Sequence, residues 1–445
     1  MDIQSLSRRL DQFALGSPLL PAARPARCSG LSWALVIGLS SLLLTAAAPP
    51  AIAEAFRQSD WVATWTASPQ VSSSGLIPDL DNQTVRLIVH PTVGGDHLRI
   101  RLSNAYNTQP IVIGDVHVAV TGNPLLPTIV AGTDQALTFN GQSAITIPPG
   151  AVILSDPVNY VVQPLTDLSV SIYLPNDTPN ATLTEHYSAL QVNYISGTGD
   201  FTGSNAFPDT TPIFSWCLLS SVEVSSTSPT SQTAAVVALG DSITDGIGSA
   251  LTTNYRWPDL LSARLLNTFN WCAPVVVNQG IAGNRLLNDI TGQNALARFD
   301  RDVLSQAGVR CVVIEEGLND IAALAILPSQ AVTACQIIWA LNQLIQRGHD
   351  QGLTVIGVTL TPFAGSFIYS DAGEVERLEV NRFIRNRNAY DAVLDFDQVL
   401  RDPSDPKQLL PAYDSGDHVH PNNAGYLAIV NSLDLIPFLG LNPVR

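Results

Sequence analysis

The stretch VVALGDSITDG, residues 236–246, decides the fold of the C-terminal half of the chain. Its first four residues are apolar and predict a buried strand, which Gly240 interrupts. Ser242 follows where the strand is expected to turn into a helix, at the carboxyl edge of a sheet. Open α/β sheets bind ligands at that edge, and backbone N–H groups at a helix start suit an anion. The stretch therefore predicts a functional serine at the edge of a sheet.

Strand and helix patterns alternate in the residues that follow this stretch. Apolar runs predict strands at Pro274–Val277, Val309–Glu315, Thr354–Leu360 and Ala392–Phe396. Apolar residues at helical spacing predict helices around Trp257, Leu260, Leu261, Leu265 and Phe269, around Ala331, Ala334, Cys335, Ile338, Leu341 and Ile345, and over Val375–Asn388. Near-continuous apolar strands alternating with helices are typical of a parallel sheet covered on both faces. Residues 235–445 are therefore expected to form an α/β domain.

The residues before this domain have a different pattern, one of short alternating strands. Residues 85–90, 98–103 and 167–174 alternate apolar and polar side chains, with Arg86 and His90 among the polar ones, although Ile88 interrupts the first run. Gly94-Gly95-Asp96 is interpreted as a hairpin turn between the first two runs. Frequent turn residues and the lack of a long helical period predict an all-β sandwich over residues 58–224. The polar, Ser- and Thr-rich residues 225–234 are interpreted as a linker.

The N-terminal residues have the features of an export signal. Four arginines precede an apolar run from Leu31 to Ala48, and Ala51-Ile52-Ala53 offers a small-x-small cleavage site. Residues 1–53 are therefore predicted to be a signal peptide of a secreted or periplasmic protein. An uncleaved signal anchor is the alternative, because the run is just long enough to span a membrane.

The composition of the chain argues against some classes of partner and cofactor. The formal net charge is −16, with 38 acidic and 22 basic side chains, which argues against nucleic acid or an anionic membrane as a partner. After signal removal four cysteines remain, with no spacing typical of a zinc site. They are Cys217, Cys272, Cys311 and Cys335, and their pairing is left open. Cys311 and Cys335 lie in apolar patterns and are expected to be buried.

Three histidines of the C-terminal half could act as a base: His349, His418 and His420. His349 lies in a polar stretch that is typical of a surface helix end. A turn at residues 417–420 would bring Asp417 within reach of His420, and the carboxylate would then hold one imidazole tautomer. The alternatives are a structural cluster at the start of a helix and a metal site formed by Asp417, His418 and His420.

Acyl transfer also needs donors aimed at the oxygen that becomes negatively charged. Three candidates follow predicted strands: the Ser242 N–H, the Gly283 N–H and the side-chain amide of Asn319. The alternative is that the glycines near them only make tight turns. That interpretation accounts for Gly280 and Gly317 and does not explain Ser242 or Asn319.

Four sequence blocks, in this order, resemble the GDSL or SGNH family of serine esterases and lipases. They are Gly240-Asp241-Ser242-Ile243-Thr244, Gly280-Ile281-Ala282-Gly283-Asn284, Gly317-Leu318-Asn319-Asp320 and Asp417-His418-Val419-His420-Pro421. The resemblance covers about 235–440 and implies a flavodoxin-like three-layer α/β/α fold. It also implies Ser242 as nucleophile, His420 as general base, Asp417 as its orienting carboxylate, and an oxyanion hole of Ser242, Gly283 and Asn319.

The resemblance extends further toward the N-terminus and has small departures. Trp61-Val62-Ala63-Thr64-Trp65 and residues 84–103 resemble the sandwich that precedes the catalytic domain in one bacterial branch. Ile243, Ala282 and Asn284 differ from the commonest residues of the blocks, which puts only substrate preference in doubt.

Other candidates carry less weight. Glu315 and Glu316 could form a second acid–base pair, but one is expected to face solvent and the other a turn. Arg256-Trp257-Pro258 is interpreted as a helix start and core rather than a substrate clamp. Trp61 and Trp65 are expected to pack in the sandwich rather than form a sugar platform.

The sequence thus predicts an exported serine hydrolase that cleaves carboxylic esters without metal or organic cofactor. Its expected partner is a small-molecule or glycan ester, with no stable membrane association after signal cleavage. A polysaccharide deacetylase with a glycan-binding sandwich and a catalytically vestigial glycan-binding protein are the alternatives. The oligomeric state stays open.

Overall fold

The computed structural model describes residues 61–72, 77–178, 183–226, 234–270, 273–386 and 388–438. Residues 56–445 form one compact unit. The predicted signal peptide and Cys272 lie outside the described residues. None of the helices in these ranges has the length and apolar character needed to cross a membrane.

The N-terminal part of the described chain is built from short strands. Their bounds are β1 Val62–Thr66, β2 Gln70–Val71, β3 Gln83–Val89, β4 Gly95–Ser103, β5 Ile111–Ile113, β6 Asp115–Asn123, β7 Thr128–Ile129, β8 Gln135–Ala136, β9 Ile145–Ile147, β10 Val152–Leu154, β11 Val158–Val162, β12 Leu168–Leu174, β13 Thr184–His186, β14 Asn193–Thr198, β15 Thr211–Ile213, β16 Trp216–Cys217 and β17 Leu219–Ser225. One antiparallel sheet has the order β1-β17-β4-β10, and a second has the order β15-β14-β3-β12-β6-β7. The predicted all-β sandwich is confirmed.

The predicted hairpin turn at Gly94-Gly95-Asp96 is wrong. β3 pairs with β12 and β14, whereas β4 pairs with β17, β10 and β11, so the chain passes from one sheet to the other between them. Gly95 already belongs to β4. The apolar faces of both runs favour this arrangement, because crossing between sheets lets each strand bury its side chains in the shared core.

Arg86 also departs from the alternation, since its side chain is buried rather than solvated. The guanidinium donates to the carbonyl oxygens of Pro127 and Ser204 at 2.7 and 2.8 Å, and to the Ser171 hydroxyl at 2.9 Å. Burial lowers the pKa of Arg86 to about 10. These bonds to two loop carbonyls and to the neighbouring strand β12 satisfy the donors that an outward-facing arginine would give to water.

The C-terminal part contains the predicted parallel sheet. Its strands are β18 Ala235–Gly240, β19 Val275–Gly280, β20 Val309–Glu315, β21 Thr354–Val358 and β22 Ala392–Leu394, in the order β19-β18-β20-β21-β22. This order is that of a flavodoxin-like sheet, in which the second strand lies on one side of the first and the later strands lie on the other side. A separate two-stranded sheet is formed by β23 Arg401–Asp402 and β24 Asp405–Leu409.

Helices connect these strands and cover the sheet. Their bounds are α1 Ser242–Asp245, α2 Trp257–Phe269, α3 Ala295–Phe299, α4 Leu318–Ile326, α5 Ala334–Asp350, α6 Asp371–Arg385, α7 Phe396–Leu400 and α8 Asn423–Ser432, with a π-helical turn at Asp300–Leu304. Helix α2 contacts α8, which also contacts α7, and α6 contacts both α4 and α5. These two helix groups are the outer layers of the predicted three-layer α/β/α fold, which is confirmed.

The predicted helix at Val375–Asn388 is shifted in the structure, where α6 runs from Asp371 to Arg385. The Ser370 side chain accepts a hydrogen bond from the Gly373 N–H and caps the helix start. The first turn is polar and contains a glycine, so the apolar period begins only later. The cap, rather than the apolar stripe, therefore marks where this helix begins.

Of Cys311 and Cys335, which the sequence predicts to be buried, only Cys311 is buried. Cys311 lies within β20 and is buried, whereas Cys335 is exposed near the start of α5. The buried stripe of that helix runs through Ala334, Ile337, Leu341 and Ile345. Cys335 is one residue away from this stripe, about 100° around the helix axis, and so faces solvent.

The β-rich part packs closely against the parallel sheet. The Ala63 N–H donates to the Ala307 carbonyl at 3.0 Å, and the Thr66 hydroxyl donates to the Asn278 carbonyl at 2.8 Å. Buried apolar side chains from both parts form one continuous cluster. The sandwich was predicted to end at residue 224, the linker to cover 225–234 and the α/β domain to begin at 235. These boundaries stay a prediction, since residues 227–233 lie outside the described ranges.

Candidate active site

The strand-to-helix turn after β18 places Ser242 at the carboxyl edge of the sheet. The Asp241 side chain accepts a hydrogen bond from the Ile243 N–H at 3.0 Å and caps the start of α1. Ser242 is the first residue of that helix, and its relative exposure is 8%. The cap and the apolar strand before it are both local features of the sequence. They present a serine that is mostly shielded from water yet still accessible.

A hydrogen-bonded chain leads from Ser242 to His420 and Asp417. The distance from Ser242 Oγ to His420 Nε2 is 2.8 Å, and His420 Nδ1 lies 2.6 Å from Asp417 Oδ2. Asp417 Oδ1 also accepts from the backbone N–H groups of Val419 and His420. Because an ionised carboxylate only accepts hydrogen bonds, the proton is assigned to Nδ1, which leaves Nε2 to accept from the serine hydroxyl.

The carboxyl of Asp417 is held in its ionised form. Partial burial alone would raise its pKa, but the hydrogen bond and positive charge of His420, together with the two backbone N–H groups, outweigh it. The net effect lowers the pKa of Asp417 well below its usual range. A permanent negative charge beside Nδ1 stabilises an imidazolium when His420 takes up a proton.

His418 lies apart from this chain of hydrogen bonds. Its Nδ1 is 2.6 Å from Asp414 Oδ2, and its backbone φ of +65° is in the left-handed region. His349 lies near the end of α5 and contacts Asp391. Among the described residues no group of three His, Cys, Asp or Glu side chains could hold a metal ion. The structure therefore joins only His420 of the three candidate histidines to Ser242.

The three predicted oxyanion donors follow neighbouring strands of the sheet. Ser242 follows β18, Gly283 follows β19, and Asn319 is in the first turn of α4 after β20. Within the described part of the chain, the N–H groups of Ser242 and Gly283 donate to no protein acceptor. Asn319 Nδ2 donates one hydrogen to Asp241 Oδ2 at 3.1 Å, and its second hydrogen has no partner in that part of the chain. The edge of the sheet thus offers three uncommitted N–H donors.

Glu315 and Glu316 are both fully buried, so the expectation that one faces solvent and the other a turn is wrong. Glu315 Oε2 accepts from the Thr244 hydroxyl at 3.0 Å, and Glu316 Oε1 accepts from Arg298 at 3.0 Å. Burial raises the pKa of both carboxyls well above the usual range, and the neighbouring Asp241 raises it further. The raised pKa favours the protonated form of Glu315.

Asp241 connects the cap of α1 with the Asn319 amide. Its carboxylate accepts from the Ile243 N–H and from Asn319 Nδ2. A carboxylate partner selects Nδ2 rather than Oδ1 of Asn319 and so fixes the orientation of the amide. The signal in the sequence was an aspartate at an N-cap position, but its contact with Asn319 spans 78 residues.

Arg298, which the sequence did not predict as a site residue, supports the same edge of the sheet through hydrogen bonds. This fully buried side chain donates to the Gly240 carbonyl at 3.0 Å and to the Gln279 carbonyl at 2.7 Å. It also donates to Asn284 Oδ1 and to the Ser68 hydroxyl of the β-rich part. An arginine on a short helix gives no sequence signal for such a role. Asn284 is held in this network and is buried.

The remaining candidate residues contribute to packing rather than to the active site. Trp257 is fully buried, and Arg256 donates to the Ala189 carbonyl, as expected for a helix start and core. Trp65 is buried and packs edge-on against Trp216, with 4.9 Å between ring centroids. The Arg99 guanidinium lies 4.4 Å from the ring centroid of Trp61. Packing within the β-rich part thus accounts for both tryptophans.

A parallel α/β sheet with Ser, His and Asp hydrogen-bonded at its carboxyl edge has the arrangement found in serine hydrolases. Residues 238–428 match the model of the GDSL-like lipase/acylhydrolase family. No curated protein matches the chain.

Solved structures with a similar fold include three hydrolases. An acetylxylan esterase from Geobacillus stearothermophilus is 23% identical, with a TM-score of 0.37, over 48% of this chain and 97% of the other. An alpha/beta hydrolase enzyme from the metagenome of Lake Arreo is 23% identical, with a TM-score of 0.37, over 47% and 97%. A GDSL-like lipase from Bacteroides thetaiotaomicron is 21% identical, with a TM-score of 0.34, over 44% and 84%.

Proposed function

We propose that the protein hydrolyses carboxylic esters through an acyl-enzyme intermediate on Ser242. The observation that carries this proposal is the chain of hydrogen bonds from Ser242 Oγ through His420 to Asp417, with distances of 2.8 and 2.6 Å. These distances are those required of a nucleophile, a base and an orienting group. The uncommitted N–H donors at the same sheet edge support the same reaction.

In the first half of the reaction Ser242 Oγ attacks the ester carbonyl carbon while His420 Nε2 takes the hydroxyl proton. Asp417 stabilises the imidazolium, and the negative carbonyl oxygen is bound by the N–H groups of Ser242 and Gly283 and by Asn319 Nδ2. The tetrahedral intermediate collapses as His420 gives its proton to the leaving alcohol oxygen. The acyl group then remains on Ser242.

In the second half a water molecule replaces the alcohol. His420 Nε2 takes a proton from the water, whose oxygen attacks the acyl carbon and forms a second oxyanion in the same hole. Collapse breaks the bond to Ser242 Oγ, which recovers its proton from His420. The carboxylic acid leaves, and every group returns to its starting state.

We further propose that residues 1–53 direct export and that the mature chain acts on neutral esters, in keeping with its acidic net charge. The deacetylase and the vestigial glycan-binding protein stay alternatives. A purified chain that hydrolyses p-nitrophenyl acetate contradicts the vestigial protein. Comparing simple esters of graded length with acetylated polysaccharides separates an esterase from a deacetylase.

The test of the site compares Ser242→Ala with Asn319→Ala. Ser242→Ala removes the nucleophile, so it should abolish turnover of p-nitrophenyl acetate and labelling by an active-site phosphonate. Asn319→Ala removes one of three oxyanion donors and should lower kcat by roughly 10²–10³ with little change in KM. It should still be labelled by the phosphonate, more slowly, and the label should map to Ser242 by mass spectrometry. Labelling of the Ser242→Ala variant at another residue contradicts the proposed site.

A further inference from the structure

The turn that carries Gly283 can hold its central peptide in two orientations. The Asn284 N–H donates to the Ile281 carbonyl at 3.0 Å, which closes a four-residue turn, and Gly283 has a φ of +79°. A positive φ at the third residue is the mark of a type II turn, whereas a type I turn has a negative φ there. The two types differ by a flip of the central peptide, here Ala282–Gly283. Only one orientation directs the Gly283 N–H toward the place where the oxyanion forms.

A tyrosine of the β-rich part holds this peptide. The Tyr187 hydroxyl, one residue after β13, donates to the Ala282 carbonyl oxygen at 3.0 Å. In a trans peptide the C=O and the following N–H point in opposite directions, so a bond to the Ala282 oxygen also sets the direction of the Gly283 N–H. A flipped peptide would lose this hydrogen bond.

The preceding peptide of the turn is held by Asp245, which in turn contacts His186, the last residue of β13. The Ala282 N–H donates to Asp245 Oδ2 at 2.9 Å, and Asp245 Oδ1 lies 3.0 Å from His186 Nε2. His186 Nδ1 contacts the Ser68 carbonyl at 3.1 Å and therefore carries a hydrogen. Tyr187 and His186 thus hold the peptides on both sides of Ala282, Tyr187 directly and His186 through Asp245.

We propose that Tyr187 is a positioning residue of the oxyanion hole, which acts by keeping the Ala282–Gly283 peptide in the orientation that presents the Gly283 N–H. The β-rich part then completes the active site rather than serving only as a separate binding module. The inference rests on the proposed function. Burial, chiefly, raises the pKa of Tyr187 to about 12, so its hydroxyl keeps the proton that it donates across the neutral range.

The test is Tyr187→Phe, which removes the hydroxyl and keeps the ring. We expect kcat to fall by about 10- to 100-fold with KM within about twofold, since the lost orientation weakens a donor that acts mainly in the transition state. Phosphonate labelling should reach one group per chain at a rate lowered in parallel with kcat. Tyr173→Phe is the matched control, because it removes a hydroxyl that donates to Asn82 at 2.8 Å elsewhere in the β-rich part. It should leave kcat unchanged.

A second variant keeps the test decisive if Tyr187→Phe does not fold. 4-Aminophenylalanine at position 187 keeps the ring size and a weaker donor, so kcat should lie between that of the wild type and that expected for Tyr187→Phe. An unchanged kcat in either variant, or a rise in KM alone, overturns the role of Tyr187. A wild-type protein that neither turns over esters nor labels at Ser242 overturns the proposed function instead, so the two failures are distinguishable.

Discussion

At the scale of single residues, the active site depends on where protons reside. Glu315 keeps its proton because it is buried beside Asp241, whereas Asp417 stays ionised because His420 and two backbone N–H groups bind it. The first carboxyl is neutral and accepts a hydrogen bond from the Thr244 hydroxyl of α1. The second is a charge that supports an imidazolium. Two carboxyls near one serine therefore have opposite roles because their surroundings differ.

The ionised state of Asp417 predicts how stability responds to acid. A carboxyl whose pKa is lower in the folded than in the unfolded chain stabilises the fold above the unfolded pKa of about 3.9, and this contribution is lost as pH falls through the folded pKa. Asp417→Asn should therefore lose less free energy of unfolding than the wild type between pH 6 and pH 3. Urea unfolding at the two pH values measures this difference.

Activity distinguishes Asp417 from a carboxylate of purely structural role. Asp417→Asn should also lower kcat by roughly 10³–10⁴, since an amide cannot hold the same imidazole tautomer. Asp156→Asn is the control: the pKa of Asp156 is likewise lowered, by the Thr138 hydroxyl and backbone N–H groups, far from Ser242 in the chain. It should keep full kcat. A similar loss of kcat in both variants contradicts the role given to Asp417.

At the scale of secondary-structure elements, close packing between β19 and α1 positions the nucleophile. A Cβ atom on Gly280, the last residue of β19, would lie 2.2 Å from the Asp245 nitrogen and 2.7 Å from its Cα. These are backbone atoms of the helix that begins with Ser242, so they cannot move without moving the serine. The absence of a side chain at position 280 is therefore required by the packing.

Gly280→Ala should consequently displace α1 and lower the free energy of unfolding by about 1–3 kcal/mol. Its kcat should also fall, by more than the smaller fraction of folded protein explains. Gly197→Ala in β14 is the matched control, because a Cβ atom there meets its nearest neighbour at an ordinary 3.4 Å. Thermal unfolding and ester hydrolysis of the two variants are compared. Wild-type activity in Gly280→Ala would show that the contact does not position Ser242.

At the scale of the whole molecule, the β-rich part and the parallel sheet share buried polar contacts as well as a core. Arg298 donates to the Ser68 hydroxyl at 3.1 Å, and His186 contacts Asp245 at 3.0 Å, both across this contact. Separating the two parts would break these buried hydrogen bonds and leave part of the bonding capacity of each group unsatisfied, which is costly. The two parts are therefore expected to depend on each other for stability.

The full chain should consequently unfold in a single cooperative transition by calorimetry, with equal calorimetric and van't Hoff enthalpies. Arg298→Leu, which removes the central donor, should lower the midpoint temperature of that one transition without splitting it. Two separate transitions in the wild type would show that the parts unfold independently.

The sequence by itself determined the features that depend on neighbouring residues. The apolar run and Gly240 indicate β18 and the turn to Ser242, and the spacing of three between Asp417 and His420 is enough for their hydrogen bond. The order of strands and helices after residue 235 likewise indicates a parallel α/β sheet. Such features follow from backbone geometry within a few residues, which the local sequence specifies.

The tertiary structure alone decided which distant residues meet. Ser242 and His420 are 178 residues apart, and Tyr187 and Ala282 are 95 residues apart. The burial of Glu315 and Glu316, the exposure of Cys335 and the crossing between sheets at Gly94 also went against their local patterns. The physical reason is that burial and long-range hydrogen bonds are set by the packing of whole sheets and helices, and a single residue's neighbours in sequence do not specify that packing.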